Sequence, residues 1–169
     1  MFLIVNLIWK YKVLLRGGAF LGKVIHTSEY LFGEAYQTAY EMEEQCAIYP
    51  RIIFMKEIVD ICSHFSANKH TPQQEKDYIN AFLKKDGDGF YYINYMDWEK
   101  VANAGGMENS EYIVYLKQLK NIIESGLDTK DIKVYQKYLW LKEKYNESIK
   151  DLKPKYRTMN NLSFIKDII

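Results

Sequence analysis

The chain has 169 residues, of which 48% are hydrophobic and 27% charged, and its formal net charge is +1. This length allows one domain, or one domain with a helical annex, and the hydrophobic share is enough to bury a sizeable core. The near-neutral charge argues against a dedicated nucleic-acid binder, because such proteins need a strong positive field.

The chain begins with the apolar run MFLIVNLIW. This run is shorter than the roughly 20 residues that a membrane span requires, and it lacks the basic lead and the cleavage site of a signal peptide. We expect residues 1–10 to be buried on most sides, as a core helix or as the end of a strand. With only two cysteines, Cys46 and Cys62, the chain is predicted to be cytoplasmic with both thiols reduced. A disulfide between them is the less favoured alternative.

The segment VLLRGGAF, residues 13–20, predicts a strand interrupted by Gly17 and Gly18. Glycines inside a strand usually mark a bulge, or a place where another backbone or a ligand comes close. The next segment, GKVIHTSEYLFG, predicts a hairpin-like excursion that ends at Gly33.

A helix with one apolar face is predicted over residues 34–47, where Ala, Tyr, Met and Cys recur at helical spacing. Pro50 follows the end of this helix, and RIIFM, residues 51–55, predicts a short buried strand. A second helical pattern covers residues 56–65.

Thr71 and Pro72 are a plausible cap and first position for a helix that continues to Leu83. KKDGDGFYYINYM, residues 84–96, is the strongest hairpin signal in the chain, because a Gly/Asp turn leads into a strand rich in Tyr, Phe and Ile.

Two long helical patterns, residues 109–125 and 129–149, are separated by Gly126. A short connection between two long helices favours an antiparallel pair. The N-terminal half therefore mixes strands and helices, the C-terminal third is a helical hairpin, and the predicted fold class is α+β.

The ordered segments RGGAFLGK, FGEAYQTAYEMEEQ and YPRIIF resemble the second half of a class III nucleotide cyclase domain. In that family a strand with an Arg-x-Gly-type start is followed by a tongue, a Phe/Trp-Gly turn, a helix with substrate-binding residues and another strand. LLRGG, the acidic AYE-E pattern and YPRI are most similar to the bacterial pyrimidine (uridylate/cytidylate) cyclases of anti-phage signalling systems. The resemblance implies a partial ferredoxin-like, cyclase-type sheet over about residues 11–97. Residues 1–97 would be a truncated cyclase-like domain and residues 98–169 a helical extension.

The resemblance also implies a lyase reaction, in which the ribose 3′ oxygen of a nucleoside triphosphate attacks the α-phosphate to give a 3′,5′-cyclic nucleotide. Two aspartates of the family hold two Mg²⁺ or Mn²⁺ ions that handle the nucleophile and the developing charge. Both aspartates precede the strand that corresponds to residues 13–20, so the metal-binding half is expected to be missing. We therefore expect no catalytic residue and no metal ligand in this chain, and no activity from the chain alone.

The same resemblance assigns three substrate-binding residues to the first helix and the excursion before it. Aligning Gly33 and Ala39 with the family puts Gln37 where an Asn orients the ribose, and Glu41 where an Arg stabilises the transition state. A carboxylate within ~4 Å of a triphosphate repels it by an energy on the order of a few kcal/mol. Glu41 is therefore expected to turn away toward an Arg or Lys, or to mark a subfamily that handles phosphate differently. Tyr30 lies where purine cyclases read the base and could stack on a pyrimidine, with a packed strand tyrosine as the alternative.

In this alignment KKDGDGFYY is the last hairpin, and Lys84 or Lys85 lies near the triphosphate, with solvated surface lysines as the favoured alternative. Asp86 and Asp88 superficially resemble a calcium loop. However, Tyr91 stands where an EF-hand needs glycine and the bidentate Glu is missing, so a turn is predicted here.

Two functions remain open from the sequence. The first is the C-terminal part of a cyclase-like protein, which would form a homodimer, or a heterodimer with a cyclase-type chain, because each active site of the family lies between two chains. The second is a non-catalytic nucleotide-binding or dimerisation module, with an exposed sheet edge and with residues 1–9 covered by another chain. A DNA-associated role for KVYQKYLWLKEKY is weaker, because the net charge is near neutral.

Overall fold

A computed structural model describes residues 1–62, 64–65, 70–105, 109–152 and 167–169 of the chain. These residues form two compact units. The sheet unit is Leu15–Asn94, and the helical unit combines Met1–Leu14 with the described residues of Tyr95–Ile169. The mixed α+β class predicted from the sequence is confirmed.

The described strands are short, and in chain order they are β1 (Gly17–Ala19), β2 (Ile25–His26), β3 (Leu31–Phe32), β4 (Ile52–Phe54), β5 (Leu83–Lys85) and β6 (Tyr91–Ile93). Four of them form one sheet in the order β1-β4-β6-β5, in which β1 and β4 are parallel and the other neighbours are antiparallel. β2 and β3 form a separate antiparallel pair, which agrees with the predicted hairpin-like excursion.

The described helices are, in chain order, α1 (Phe2–Tyr11), α2 (Glu34–Glu41), α3 (Lys56–Cys62), α4 (Pro72–Phe82), α5 (Trp98–Gly105), α6 (Asn109–Leu127) and α7 (Ile132–Asp151). A π-helical turn, Met42–Cys46, continues directly from α2. The long helix predicted to stop before Gly126 instead runs through it to Leu127.

The predicted strand over residues 13–20 is only three residues long, and its second glycine lies against a helix. A Cβ on Gly18 would lie 2.6 Å from the Cβ of Met42 and 2.8 Å from the carbonyl oxygen of Ala39. Gly18 therefore lets the end of α2 and the π-helical turn pack directly on β1. Met42 then joins Ala47 and Ile53 in the buried cluster of this unit.

Helix α4 begins as its sequence predicts. The Thr71 hydroxyl accepts a hydrogen bond from the Gln74 amide at 3.3 Å, and the Gln74 side chain accepts one from the Thr71 amide at 2.8 Å. This reciprocal capping box satisfies two of the amides that a helix start leaves without intrahelical partners. Pro72 occupies the first helical position, where its missing N–H costs nothing.

In the helical unit, α1 packs against α5 and α6. Ile4, Val5 and Ile8 are buried there, so the apolar N-terminal segment is covered largely by its own chain. The expectation that it would be buried on most sides is wrong only at the start of the helix, where Phe2 and Leu3 are 65% and 63% exposed.

The remaining core of this unit is rich in tyrosine, as the composition indicated. The Tyr112 hydroxyl donates to the carbonyl of Met96 at 2.7 Å, and the Tyr115 hydroxyl donates to the carbonyl of Tyr95 at 2.8 Å. Burial raises the pKa of the Tyr115 hydroxyl well above its usual value. Each ring is thus buried with its polar end satisfied.

No helix in the described residues combines the length and hydropathy that crossing a membrane requires. Cys46 is a half-buried free thiol that packs against the cluster of Met42, Ala47 and Ile53. The side chain of Cys62 lies outside the described residues.

Candidate functional site

The candidate site is built on the β1–hairpin–α2–β4 part of the sheet unit. Gly33, immediately before α2, has φ 140°, a backbone conformation that strongly favours glycine. A Cβ at Gly33 would lie 2.6 Å from the carbonyl oxygen of Lys23 and 2.9 Å from the Cα of Val24. The Ala35 amide donates to that same Lys23 carbonyl at 3.2 Å. These contacts fix the β2–β3 hairpin against the first turn of α2.

Gln37 and Glu41 lie one turn apart on α2, and both side chains are exposed. The Gln37 carboxamide donates to a Glu41 carboxylate oxygen at 3.3 Å. Glu41 therefore turns toward the Gln37 amide. The contact that the structure shows is with this amide and not with an Arg or Lys of the described residues. Exposed contacts of this kind are worth a few tenths of a kcal/mol, about 0.2–0.5, so both groups can rearrange around a ligand.

Arg16, which contacts the segment after α2, has an acidic partner other than Glu41. Arg16, just before β1, forms an ion pair with Glu43 at 2.6 Å and donates to the carbonyl of Ala47 at 3.4 Å. It thereby ties the start of β1 to the π-helical turn that follows α2. Both partners of the ion pair are partly exposed, with 41% and 32% of their side-chain surfaces accessible.

Tyr30 is part of the turn between β2 and β3. Its amide donates to the hydroxyl of Thr27 at 2.9 Å, and its carbonyl accepts from the Thr27 amide at 2.8 Å. The Tyr30 side chain is 67% exposed, so the alternative of a packed strand tyrosine does not describe it. An exposed ring on a short hairpin is free to stack on a planar group.

Lys85 lies away from α2. It ends β5, which is the edge strand opposite β1 in the sheet order β1-β4-β6-β5. Three strand spacings separate the two edges, a distance of about 14 Å. The structure therefore brings Gln37 and Glu41 together and does not place Lys85 beside them. Lys85 is exposed, which agrees with the alternative of a solvated surface lysine.

The most buried charge of the sheet unit is one that sequence reasoning missed. Arg51, at the start of β4, has no exposed surface, and its guanidinium forms ion pairs with Asp86 and Asp88 of the β5–β6 turn. Its guanidinium carbon also lies 5.2 Å from the ring centre of Tyr49 and 5.8 Å from that of Tyr92. The signal in the sequence was an Arg directly before the apolar strand residues of β4, because a charge buried there requires a partner.

The predicted turn at Asp86 is confirmed, since the Gly89 amide donates to the Asp86 carbonyl at 3.1 Å. Its two carboxylates bind the Arg51 guanidinium and neutralise it. This arrangement holds the β5–β6 hairpin on β4, and it explains why two aspartates stand two residues apart without a cation loop.

The resemblance implies Mg²⁺ or Mn²⁺, and the acidic side chains of the sheet unit are the groups that could bind such ions. A hard divalent cation is held by several oxygen ligands, and an enzyme of this kind needs two such ions. Within the described residues no three His, Cys, Asp or Glu side chains converge on one point. Asp86 and Asp88 already engage Arg51, and Glu41 contacts Gln37. The described residues thus do not fit a two-metal site.

Comparisons with protein-family models, with curated proteins and with solved structures gave no match.

Proposed function

We propose that this chain is part of a class III nucleotide cyclase-like protein and carries the helix-bearing half of a nucleotide site. In this proposal α2 and the β2–β3 hairpin contact a nucleoside triphosphate, with a pyrimidine base stacking on Tyr30. The divalent ions and their carboxylates come from other polypeptide, so that the chain alone forms no cyclic nucleotide.

One observation supports the proposal most strongly. The segments that carry the resemblance form a strand, an exposed hairpin, a glycine turn, a helix and a parallel strand, in that order. This is the order that the resemblance implies, and the close contact at Gly18 and the glycine turn at Gly33 explain why those residue types occupy those positions.

The polar groups on α2 limit the chemistry that this half-site can provide. Gln37 offers a carboxamide that both donates and accepts, which suits a ribose hydroxyl or a base edge. Glu41 adds a negative charge where a phosphate would gain from a positive one, and Arg16 is held by Glu43. These groups can bind and orient a nucleoside, and α2 itself carries no Lys or Arg that could stabilise the transition state.

A second candidate function is a dimerisation module without catalysis, and the surface of the hairpin favours it. Large apolar side chains are exposed there, namely Val24, Ile25, Leu31 and Phe32, with exposed fractions of 49%, 63%, 49% and 71%. β1 is also an edge strand of the described sheet. Exposed apolar clusters and unpaired edges are typical of surfaces that another chain covers.

The proposal is tested by titrating the isotopically labelled full chain with UTP and with CTP and following its backbone amide NMR signals. We expect shifts concentrated in residues 30–41. Replacing Gln37 with Leu should raise the dissociation constant obtained from these shifts about tenfold, because a hydrogen bond to a charged or strongly polar ligand is worth about 1.5 kcal/mol or more. Tyr30→Ala should reduce the preference for a nucleotide over ribose 5-phosphate.

Two controls make the result interpretable. Gln73→Leu removes an equally exposed amide from α4 of the same unit and should leave the shifts unchanged. UTP titration without divalent cation should give the same shifts as titration with Mg²⁺. Absence of shifts in residues 30–41 at millimolar UTP and CTP would contradict a nucleotide half-site and leave the dimerisation module as the better account.

A further inference from the structure

The helical unit contains a separate cleft that the proposed function does not use. It has a volume of about 570 Å³ and lies between the end of α1, the C-terminal half of α6 and the start of α7. Pockets of about 300–1,000 Å³ are the usual size for small-molecule ligands.

Three of the side chains that α6 contributes to the cleft are polar, and two of them, Asn121 and Ser125, are exposed. Gln118, Asn121 and Ser125 follow one another at spacings of three and four residues and line the cleft together, because such spacings place side chains on one helix face. Within the described parts of the chain, none of these three side chains has a hydrogen-bond partner. Two carboxamides and a hydroxyl thus point into one cleft with their donors and acceptors available.

The residues that α7 contributes to the cleft include one aromatic ring, which packs on a glycine of α6. Tyr138 of α7 lines the cleft, and a Cβ at Gly126 would overlap the Tyr138 ring. Gly126 is inside α6, where glycine costs about 1 kcal/mol relative to alanine. The glycine is accounted for by the position of this ring, which offers a planar surface for stacking.

The charge of the cleft has one sign. Lys12, which follows α1 in the left-handed conformation with φ 58°, is the charged side chain that lines it, and no Asp or Glu is among the lining residues. The Lys12 ammonium has no ion-pair or hydrogen-bond partner within the described residues. The ligand that fits is therefore anionic at one end.

From these groups we infer that the cleft binds a mononucleotide. Carboxamides can pair with the donor and acceptor edge of a base, the Tyr138 ring can stack on its face, and the Lys12 ammonium can bind a phosphate. This site lies in the helical unit and is distinct from the half-site on α2 in the sheet unit.

The inference is tested by calorimetric titration of the full chain with UMP, CMP, AMP and GMP, and with uridine, adenosine, ribose 5-phosphate and inorganic phosphate. We expect at least one mononucleotide to bind with a dissociation constant of about 1 mM or below. It should bind more tightly than its nucleoside and more tightly than inorganic phosphate. Lys12→Asn should weaken binding of the nucleotide about tenfold and leave binding of the nucleoside unchanged. Asparagine is chosen because it tolerates the left-handed conformation of this position.

The polar and aromatic walls are tested separately. Asn121→Leu and Tyr138→Leu should each weaken binding of the mononucleotide about tenfold. The second acts through the loss of stacking. Circular dichroism checks that each variant is folded. Gly126→Ala pushes the ring from its place and should also weaken binding; if that variant does not fold, Tyr138→Leu gives the same information.

The matched controls are Lys133→Asn, which removes an exposed lysine of α7 that does not line the cleft, and Gln73→Leu, which removes an exposed amide of α4 in the other unit. Both should bind like the wild type. The inference is overturned if none of the four mononucleotides binds at millimolar concentration, or if binding survives both Lys12→Asn and Asn121→Leu. It is also overturned if inorganic phosphate binds as tightly as the best nucleotide.

Discussion

Replacing Arg51 with methionine should destabilise the sheet unit by about 3 kcal/mol. The substitution keeps most of the apolar contacts of the buried side chain but removes the cation that Asp86 and Asp88 bind. Removing one partner of a buried ion pair typically costs about 3–5 kcal/mol, because a charge is left without compensation. The lower end applies here, since Asp86 is 8% exposed but Asp88 is 38% exposed and can be hydrated.

The assay is urea unfolding followed by circular dichroism, together with hydrogen exchange at the amides of the β5–β6 hairpin. Those amides should lose protection first, because Arg51 is what joins the turn to β4. Combining Arg51→Met with Asp86→Asn and Asp88→Asn should recover at least half of the lost stability, since the uncompensated charges are then absent.

Arg16→Met is the matched control. Its ion pair with Glu43 is partly exposed, and such pairs contribute at most about 1 kcal/mol. The reasoning is refuted if Arg51→Met costs no more than Arg16→Met, or if neutralising the two aspartates recovers nothing.

Three other predictions concern the backbone, the hairpin surface and a buried hydroxyl. Gly33→Ala should cost about 1–3 kcal/mol in urea unfolding, because φ 140° is strained for alanine and backbone atoms block its Cβ, whereas Gly87→Ala, with no atom near its Cβ, should be neutral or slightly stabilising; equal costs would contradict the turn geometry. If the hairpin is a dimer surface, Phe32→Lys should convert a dimer to a monomer in light scattering while Ile132→Lys, equally exposed in α7, should not; a wild-type monomer would count against that surface. The raised pKa of Tyr115 means that the unfolded chain ionises first, so its stabilisation is complete below pH about 10 and is lost as pH rises toward the folded value. Tyr115→Phe should accordingly lose less stability than the wild type between pH 9 and 11, and equal losses would show that the hydroxyl is not buried.

The elements that the sequence predicted well are those with local causes. The capping box at Thr71, the hairpin turn at Asp86 and the excursion that ends at Gly33 each depend on residues within a few positions of one another. Element ends were less predictable. The strand over residues 13–20 is shorter than predicted, and α5 was not predicted, because a helix of eight residues offers few positions in which a repeat can be recognised.

The candidate site was only partly predictable, because some of its residues are placed by local spacing and others by contacts between distant parts of the chain. Gln37 and Glu41 share a helix face by spacing alone, so their proximity follows from the sequence. The position of Lys85 depends on the strand order, which puts β5 at the far edge of the sheet. The partners of Arg51 lie 35 and 37 residues away, and no local pattern connects them.

The central proposal is that this chain holds one half of a cyclase-type site and that its described residues form no two-metal centre. The most direct test incubates the purified full chain with Mn²⁺ and UTP, CTP, ATP or GTP, and quantifies 3′,5′-cyclic nucleotides by mass spectrometry. We expect no product above the buffer control. Cyclic nucleotide that forms at a rate proportional to the chain and disappears in Gln37→Leu would contradict it.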